Sequence, residues 1–295
     1  MSFVKWFLMR RIFNINLIFL FLFFLCAPVF SEQCTVDVSS LIYPFPRYAC
    51  LSEGVRFSGK VYLSNNDGIE SPELVNKFIS LFKEYGIEAV EGKAAGGEAA
   101  IEFKRGGSEH ASVYRQEGYE IVIENKPPLG IQIAARTDAG FYYALQTFRQ
   151  LLIRRDQEVR IYTGTVRDHP AFSYRGILEG GYDVWDHASR VDILRWMGTL
   201  KMNYFIYAPK EGYYFRRRWR EPFPPEELEK FREYLNICRD NYIEFSFSLS
   251  PAMSMEYSNP KEFDTLVAKF RQIQELGVRH FAIFFDDVLP YLSTP

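Results

Sequence analysis

Apolar and polar positions alternate in short blocks along the first half of the chain. Val55–Ser64 has the period-two pattern of a strand, and shorter β-like runs follow it. Two stretches have helical spacing: one opens at Ser71 with Pro72 in its first turn and stops at Gly86, and the other spans Ala139–Ile153. This pattern predicts a small α/β domain with a mixed sheet, whose other strands are Ile87–Val90, Ala99–Phe103, Tyr119–Glu124, Ile131–Ala135 and Arg160–Val166.

From Tyr174 onward, strands and helices alternate regularly, with helices opening at Asp186, Pro224 and Pro260. Such repeats favour parallel strands joined by right-handed crossovers. A doubly wound sheet also has this rhythm. Polar residues recur where each strand ends, however, and this favours a (β/α)8 barrel, because barrel active sites are assembled at that face. A complete barrel takes about 250 residues, so residues 169–295 are predicted to be the N-terminal half of a TIM barrel, with strands Tyr174–Leu178, Asn203–Ala208, Glu244–Ser250 and His280–Phe285.

The N-terminus has the pattern of an export signal. Basic residues precede the apolar run Leu17–Val29, and Val29 and Ser31 are small enough for a cleavage site before Glu32. The run is shorter than the roughly 20 residues of a membrane span. We therefore predict a signal peptide over 1–31, a secreted or periplasmic protein without a stable membrane span, and an accessory α/β domain over 32–168. An uncleaved N-terminal membrane anchor is the alternative, because apolar residues also precede the run.

Composition narrows the classes of function. The first 31 residues carry three basic and no acidic residues, so without them the net charge of −2 becomes −5. Such a mildly acidic chain argues against a nucleic-acid partner. Cys34 and Cys50 could pair in an oxidising compartment, whereas Cys238 is predicted to be a buried free thiol. The four histidines are scattered and no Cys-x-x-Cys motif is present, so no metal site is predicted.

Candidate chemistry lies at the ends of the predicted strands. The last strand runs into Asp286-Asp287, and two adjacent carboxylates in a cleft repel, so one can stay ionised while the other holds a proton. That division suits cleavage of a glycosidic bond. At two other strand ends, Gly180 lets the backbone approach a ligand, and Lys210 could donate to ligand oxygens. Each pattern alone also fits an ordinary turn or an exposed charge.

Taken together, four motifs resemble glycoside hydrolase family 84, which contains β-N-acetylglucosaminidases, O-GlcNAcases and clostridial enzymes called hyaluronidases. They are Arg-Gly-x-x-Glu-Gly-x-Tyr from Arg175, Lys-Met-Asn-x-x-x-Tyr-Ala-Pro-Lys from Lys201, Trp-Arg-x-Pro-aromatic-Pro from Trp219, and the strand ending in Asp286-Asp287. Ser250-Pro251 also fits this pattern, and Gly140–Thr147 resembles the accessory domain that precedes these barrels.

The resemblance implies a retaining, substrate-assisted β-N-acetylglucosaminidase, in which the sugar's own 2-acetamido carbonyl attacks the anomeric carbon and forms an oxazoline. Asp286 would accept the acetamido N–H, and Asp287 would act as general acid and then as base. Gly180, Tyr182 and Lys210 would line the sugar pocket. The implied partner is a glycan or glycoprotein carrying terminal β-linked GlcNAc, and no metal or organic cofactor is implied.

The chain departs from the family pattern after Lys210, where Glu211–Phe215 replaces the family's Asp-Asp-Pro-Tyr-His, and in holding only four barrel strands. Two other functions stay open. A family 20-type β-hexosaminidase shares the accessory domain and the oxazoline route but pairs Asp with Glu. A truncated, inactive remnant or carbohydrate-binding protein is the other alternative. We expect the 295-residue chain itself to be inactive or poorly folded, because half a barrel exposes two strand edges.

Overall fold

The structure is a computed structural model that describes residues 34–285 apart from 58, 95–97, 107–114, 127 and 182. Several sequence predictions lie outside the described residues: the signal peptide over 1–31, Tyr182, and the pair Asp286-Asp287. Within the described part, no helix combines the length and the apolar character needed to cross a membrane.

The first part of the chain forms an eight-stranded mixed sheet in the order β1-β8-β5-β6-β4-β2-β3, with β7 paired to β8. Strands β2, β3, β4 and β6 run parallel to one another, and the other pairings are antiparallel. The strands are β1 Tyr48–Phe57, β2 Lys60–Asp67, β3 Glu88–Glu91, β4 Ala99–Arg105, β5 Tyr119–Glu124, β6 Gly130–Ala135, β7 Leu152–Arg155 and β8 Glu158–Asp168.

Two features of this sheet differ from the sequence prediction. The single strand predicted over Val55–Ser64 is two strands, because the chain reverses between β1 and β2 around Gly59, whose φ is +88°. The second helix ends earlier than predicted, and β7 follows it at once as one arm of a hairpin with β8. Asp156, with φ of +54°, makes the tight turn of this hairpin.

Helices α1 (Pro72–Glu84) and α2 (Asp138–Leu151) pack on this sheet. The side chain of Ser71 accepts a hydrogen bond from the Leu74 N–H, which is the N-cap that the sequence predicted. Aromatic contacts fill the core, and the rings of Phe82 and Phe148 join the two helices at 5.8 Å. Full burial of each such side chain contributes about 1.5–3 kcal/mol, so these aromatic residues stabilise the packing of both helices on the first sheet.

Four parallel strands form the second part: β9 Gly176–Leu178, β10 Tyr204–Tyr207, β11 Glu244–Leu249 and β12 His280–Ile283. They lie in sequential order, β9-β10-β11-β12. The intervening helices are α3 His187–Thr199, α4 Pro225–Asp240 and α5 Pro260–Gln274. A doubly wound sheet reverses its strand order at a switch point, whereas a barrel keeps the order. The predicted fold class, an α/β domain followed by the first half of a TIM barrel, is therefore confirmed.

The two faces of this second sheet differ in character. Phe205, Tyr207, Phe245 and Phe247 are buried in a core shared with the helices. The opposite face, which lines the interior of a barrel, carries smaller and more polar residues on β11, where Ser246 and Ser248 are both buried. This alternation follows from the period of two along a strand.

Polar contacts join the two sheets near the amino ends of β9 and β10. The buried Lys201 donates from Nζ to the Tyr119 hydroxyl at 2.6 Å and to Asp168 Oδ2 at 3.1 Å. Arg175 pairs with Glu117 at 2.9 Å. The boundary between residues 168 and 169 stays a prediction, because the described residues from 35 onward form one compact unit.

The described cysteines agree with the expected chemistry. Cys34 and Cys50 are both disulfide-bonded. Cys238 is free and buried, and burial raises the pKa of its thiol, so it is an unreactive core residue.

Candidate functional site

The carboxyl ends of β9, β10, β11 and β12 meet along one edge of the second sheet. Backbone hydrogen bonds align these ends: Glu179 N donates to Ile206 O at 3.0 Å, and Phe284 N donates to Leu249 O at 2.8 Å. The residues that follow the strands are Glu179-Gly180, Ala208-Pro209-Lys210, Ser250-Pro251 and Phe284-Phe285. The structure therefore brings together the described strand ends on which the sequence prediction depends. Asp286 and Asp287 come next in the sequence, and their roles stay predictions.

Gly180 closes a tight turn immediately after β9. Its N–H donates to Leu178 O at 2.9 Å. A Cβ at this position would meet only the end of the Leu178 side chain, which is itself half exposed. The turn is thus open to a ligand on the Gly180 side, and the predicted role of Gly180 in lining the sugar pocket stays a prediction.

Glu179 has a different role from the other strand-end residues. It is 1% exposed and points into the helix layer, where Arg190 of α3 donates to both of its carboxylate oxygens at 2.7–3.1 Å. Burial raises the pKa of Glu179, and the Arg190 guanidinium opposes that rise. The guanidinium also lies 5.2 Å from the centre of the Tyr207 ring. Glu179 therefore fixes the end of β9 to α3 and β10, and it is not placed at the open edge.

Lys210 is half-buried in a tight turn after β10. The turn is closed by a hydrogen bond from Gly212 N to Pro209 O at 2.7 Å. A π-helical turn at Tyr213–Arg217 follows directly. This placement is compatible with a lysine that reaches ligand oxygens at the strand-end edge. The sugar contact itself stays a prediction.

Ser250 carries a buried hydroxyl without a partner. The residue is 1% exposed, and its Oγ makes no hydrogen bond to any described residue. Ser248, on the same face of β11, donates to the Tyr207 carbonyl at 2.5 Å. Buried hydroxyls nearly always form a hydrogen bond. Ser250 Oγ is therefore an unusual polar atom beside the strand-end edge, and the motif Ser250-Pro251 alone does not show that it is buried.

Two cavities lie away from this edge, at the junction of the two sheets. One, of about 460 Å³, is lined by Lys201, Asp168 and Phe45. The other, of about 1000 Å³, is lined by Tyr174, Tyr242 and Glu244. Both lie near the amino ends of the barrel strands, where the polar groups already pair with each other, so they do not belong to the predicted sugar site. Across the described ranges, no three His, Cys, Asp or Glu side chains are placed to hold a metal ion.

Comparisons with known proteins match both parts of the chain. Residues 175–294 match the family model described as beta-N-acetylglucosaminidase, and residues 40–169 match the model for domain 2 of glycosyl hydrolase family 20. The proteins named Protein O-GlcNAcase in Rattus norvegicus and in Mus musculus are each 37% identical to this chain over 114 residues, which is 38% of this chain and 12% of the relative.

Solved structures share the fold over most of the described chain. The structure of CpGH84B has a TM-score of 0.73 at 26% identity, over 86% of this chain and 45% of that one. The structure of CpGH84D has a TM-score of 0.65 at 21% identity, over 84% of this chain and 45% of that one, and shows the fold alone. The chain thus spans less than half the length of either solved protein.

The half-barrel and these matches show that the chain is similar to glycoside hydrolases. It is GH84-like: its barrel strands match the beta-N-acetylglucosaminidase model, and its fold is similar to that of CpGH84B. The resemblance seen in the sequence is therefore confirmed.

Proposed function

We propose that the whole protein is an exported retaining β-N-acetylglucosaminidase that removes terminal β-linked GlcNAc from glycoconjugates. The proposal rests on one observation: the residues of the family motifs lie together at one edge of the second sheet. Gly180, Lys210 and Ser250 follow three sequential parallel strands at one edge, and the residues matching the β-N-acetylglucosaminidase model span all four strands. In barrels, catalytic residues come from the ends of several strands at this face.

The proposed reaction is substrate-assisted. Asp286 accepts the acetamido N–H and aligns the acetamido carbonyl, whose oxygen attacks the anomeric carbon while Asp287 protonates the leaving oxygen. Asp287 then takes a proton from water, which opens the oxazoline with net retention of configuration. A carboxyl group that changes from acid to base in this way needs a pKa near the working pH. Gly180, Tyr182 and Lys210 bind the sugar and take no part in the bond-making and bond-breaking steps.

The rigid support of the strand-end edge favours this role. The buried pair Glu179–Arg190 fixes the end of β9, and Ser250 N donates to Phe215 O at 3.1 Å, which fixes the end of β11 against the loop that carries Lys210. Precise placement of reacting groups accounts for a large share of enzymatic rate. Because the chain spans 45% of each solved relative, the activity is proposed for the whole protein.

Export is part of the same proposal. Cys34 and Cys50 are disulfide-bonded, and disulfides form and persist mainly in oxidising compartments. The basic residues and apolar run of the first 31 residues support a cleaved signal and a secreted or periplasmic location, with an N-terminal anchor as the alternative.

A carbohydrate-binding protein without turnover is the second candidate. It is favoured by the described strand ends, which supply Gly180 and Lys210 as possible ligand contacts, whereas the roles of Asp286 and Asp287 stay predictions. Measurable GlcNAc binding by the chain without release of sugar would support it. A family 20-type β-hexosaminidase is less favoured, because the model of that family matches residues 40–169 whereas the barrel strands match the β-N-acetylglucosaminidase model.

The test is hydrolysis of aryl β-GlcNAc by the protein as its gene produces it, with Asp287→Asn as the variant. We expect a severe loss of rate that is larger for a poor leaving group than for a good one, because a good leaving group needs little protonation. Asp264→Asn, which changes an exposed carboxylate on α5, is the matched control and should keep the full rate. Equal rates for Asp287→Asn and wild type would refute the assignment of the acid.

A further inference from the structure

Residues 209–224, here called the Lys210 loop, join β10 to α4 and contain the Trp-Arg-x-Pro-aromatic-Pro motif. The loop contacts the ends of two strands. Phe215 O accepts the hydrogen bond from Ser250 N at 3.1 Å, and the Phe215 ring lies 6.3 Å from that of Phe284. Whatever holds this loop therefore also holds Lys210 and the backbone at the end of β12.

One face of α5 binds the second half of the Lys210 loop. The Gln272 side chain accepts from Phe223 N and donates to Phe223 O, both at 2.8 Å. Near the start of α5, Glu262 pairs with the Arg220 guanidinium at 2.8 and 2.5 Å. The Trp219 indole is fully buried and donates to Ser254 Oγ at 3.1 Å. The motif thus acts as an anchor for the loop.

Lys269 makes the contact at the middle of this face. It is 3% exposed, and its Nζ donates to the Glu221 carbonyl. The same nitrogen lies 3.6 Å from the centre of the Phe223 ring and 4.9 Å from that of the Tyr214 ring. A desolvated ammonium over aromatic faces is attracted by their π-electrons. Because Tyr214 lies early in the loop and Phe223 near its end, one side chain joins both arms of the loop.

We propose that Lys269 is a positioning residue for the sugar site: its amino group joins Tyr214, Glu221 and Phe223 and so holds the Lys210 loop in the conformation that presents Lys210. The consequence for sugar binding rests on the proposed function, whereas the tether itself rests only on these contacts. Lys269 touches no reacting atom, and its effect reaches the site through the loop.

The charge of this ammonium changes near neutral pH. Burial lowers the pKa of Lys269 to about 7, and the nearby Glu221 carboxylate opposes the decrease. A lowered pKa means that the packed loop favours the neutral amine, which keeps its hydrogen bond to the Glu221 carbonyl. In an opened loop Lys269 is hydrated and binds a proton up to its ordinary pKa. The loop should therefore loosen as the pH falls through about 7.

Other ionisable groups near Lys269 do not reverse this dependence. Burial raises the pKa of the Tyr214 phenol, and Glu226 and Glu227 at the start of α4 raise it further, so Tyr214 stays neutral. On α5, the Arg220 guanidinium lowers the pKa of Glu262, which stays ionised. Lys269 is thus the group that changes charge around pH 7.

Limited digestion of the full chain by trypsin measures the tether directly, because Arg217 and Arg218 of the loop are exposed by 73% and 53%. Loop cleavage is followed by mass spectrometry and normalised to an unstructured arginine peptide at each pH. For wild type we expect cleavage to be faster at about pH 6.5 than at about pH 8.5 by on the order of tenfold, because protonation of Lys269 favours the opened loop. Lys269→Met cannot titrate or donate to the Glu221 carbonyl, so its cleavage should not depend on pH and should be faster than that of wild type at about pH 8.5. Lys269→Arg, which stays charged, should also lose the pH dependence.

Lys261→Met is the matched control, because Lys261 is an exposed lysine of the same helix, and it should behave as wild type. Cleavage of wild type that does not depend on pH overturns the proposal, as does a Lys269→Met variant cleaved no faster than Lys261→Met at about pH 8.5. If Lys269→Met does not fold, the wild-type pH series decides. A pH-dependent loop in a protein that binds no GlcNAc refutes the proposed function and leaves the tether standing. A loop insensitive to pH in a protein that hydrolyses aryl β-GlcNAc refutes the tether alone.

Discussion

Replacing Arg190 by methionine should strongly destabilise the barrel strands, because it leaves a carboxylate buried without its partner. Glu179 is 1% exposed and accepts three hydrogen bonds from Arg190. Breaking a buried ion pair by removing one partner costs about 3–5 kcal/mol. We therefore expect Arg190→Met to lower the free energy of unfolding by about that amount near neutral pH.

The loss should depend on pH with a definite sign. Burial already raises the pKa of Glu179 while Arg190 opposes the rise, so removing Arg190 raises this pKa further. A carboxyl with a higher pKa in the folded state binds more protons when folded. Stability then falls as the pH rises from the unfolded value of about 4.3 through the raised folded value. Arg190→Met should thus be least harmful at about pH 4 and most harmful at about pH 8.

Urea unfolding followed by tryptophan fluorescence measures the effect, because Trp185, Trp196 and Trp219 all lie in the second part of the chain. The control is Arg232→Met, which removes an exposed pair with Glu229 and should change stability by less than about 1 kcal/mol. The double variant Glu179→Leu with Arg190→Met should recover much of the loss. An Arg190→Met variant no less stable than Arg232→Met would refute the reasoning, as would a double variant no more stable than Arg190→Met.

Two further substitutions test the rest of the described fold. Lys201→Met should lower the free energy of unfolding by about 3 kcal/mol, because it leaves Asp168 and Tyr119 without the buried ammonium between the two sheets. The shift of the urea midpoint measures this loss, and an unchanged midpoint would contradict the contact. Gly164→Ala should destabilise by more than about 1 kcal/mol, because φ is +124° and a Cβ would collide with the Cys50 carbonyl. Gly106→Ala, with φ of +68° and open space around it, should cost less, and equal melting temperatures for the two variants would refute the steric argument.

Most helices and strands could be predicted from the sequence, because the signals for them come from residues a few positions apart. Ser71 and Asp186 cap α1 and α3 as expected, since a side-chain oxygen that accepts an N–H two or three residues later needs no distant partner. The regular alternation of strand and helix also predicted the parallel order of β9 to β12. The strand ends followed from that order.

Features that depend on distant residues were not predictable in this way. Strand β7 forms because β8 pairs with it. In the sequence alone, the first residues of β7 continue the helical spacing of α2, so they are predicted as helix. Glu179 stands at a strand end, yet its direction is set by Arg190 on the next helix. Lys269 would be taken for an exposed lysine from its helix alone, and only the rings of the Lys210 loop show that it is buried.

In the proposed mechanism the sugar's own acetamido group is the nucleophile. The most direct measurement compares hydrolysis of aryl β-GlcNAc substrates whose acetamido methyl carries none, one, two or three fluorine atoms, using the protein as its gene produces it. Fluorine withdraws electrons from the carbonyl oxygen that must attack, so kcat/KM should decrease steeply along the series and the aryl β-glucoside should not be hydrolysed. Rates that do not change along the series, or turnover of the glucoside, would contradict it.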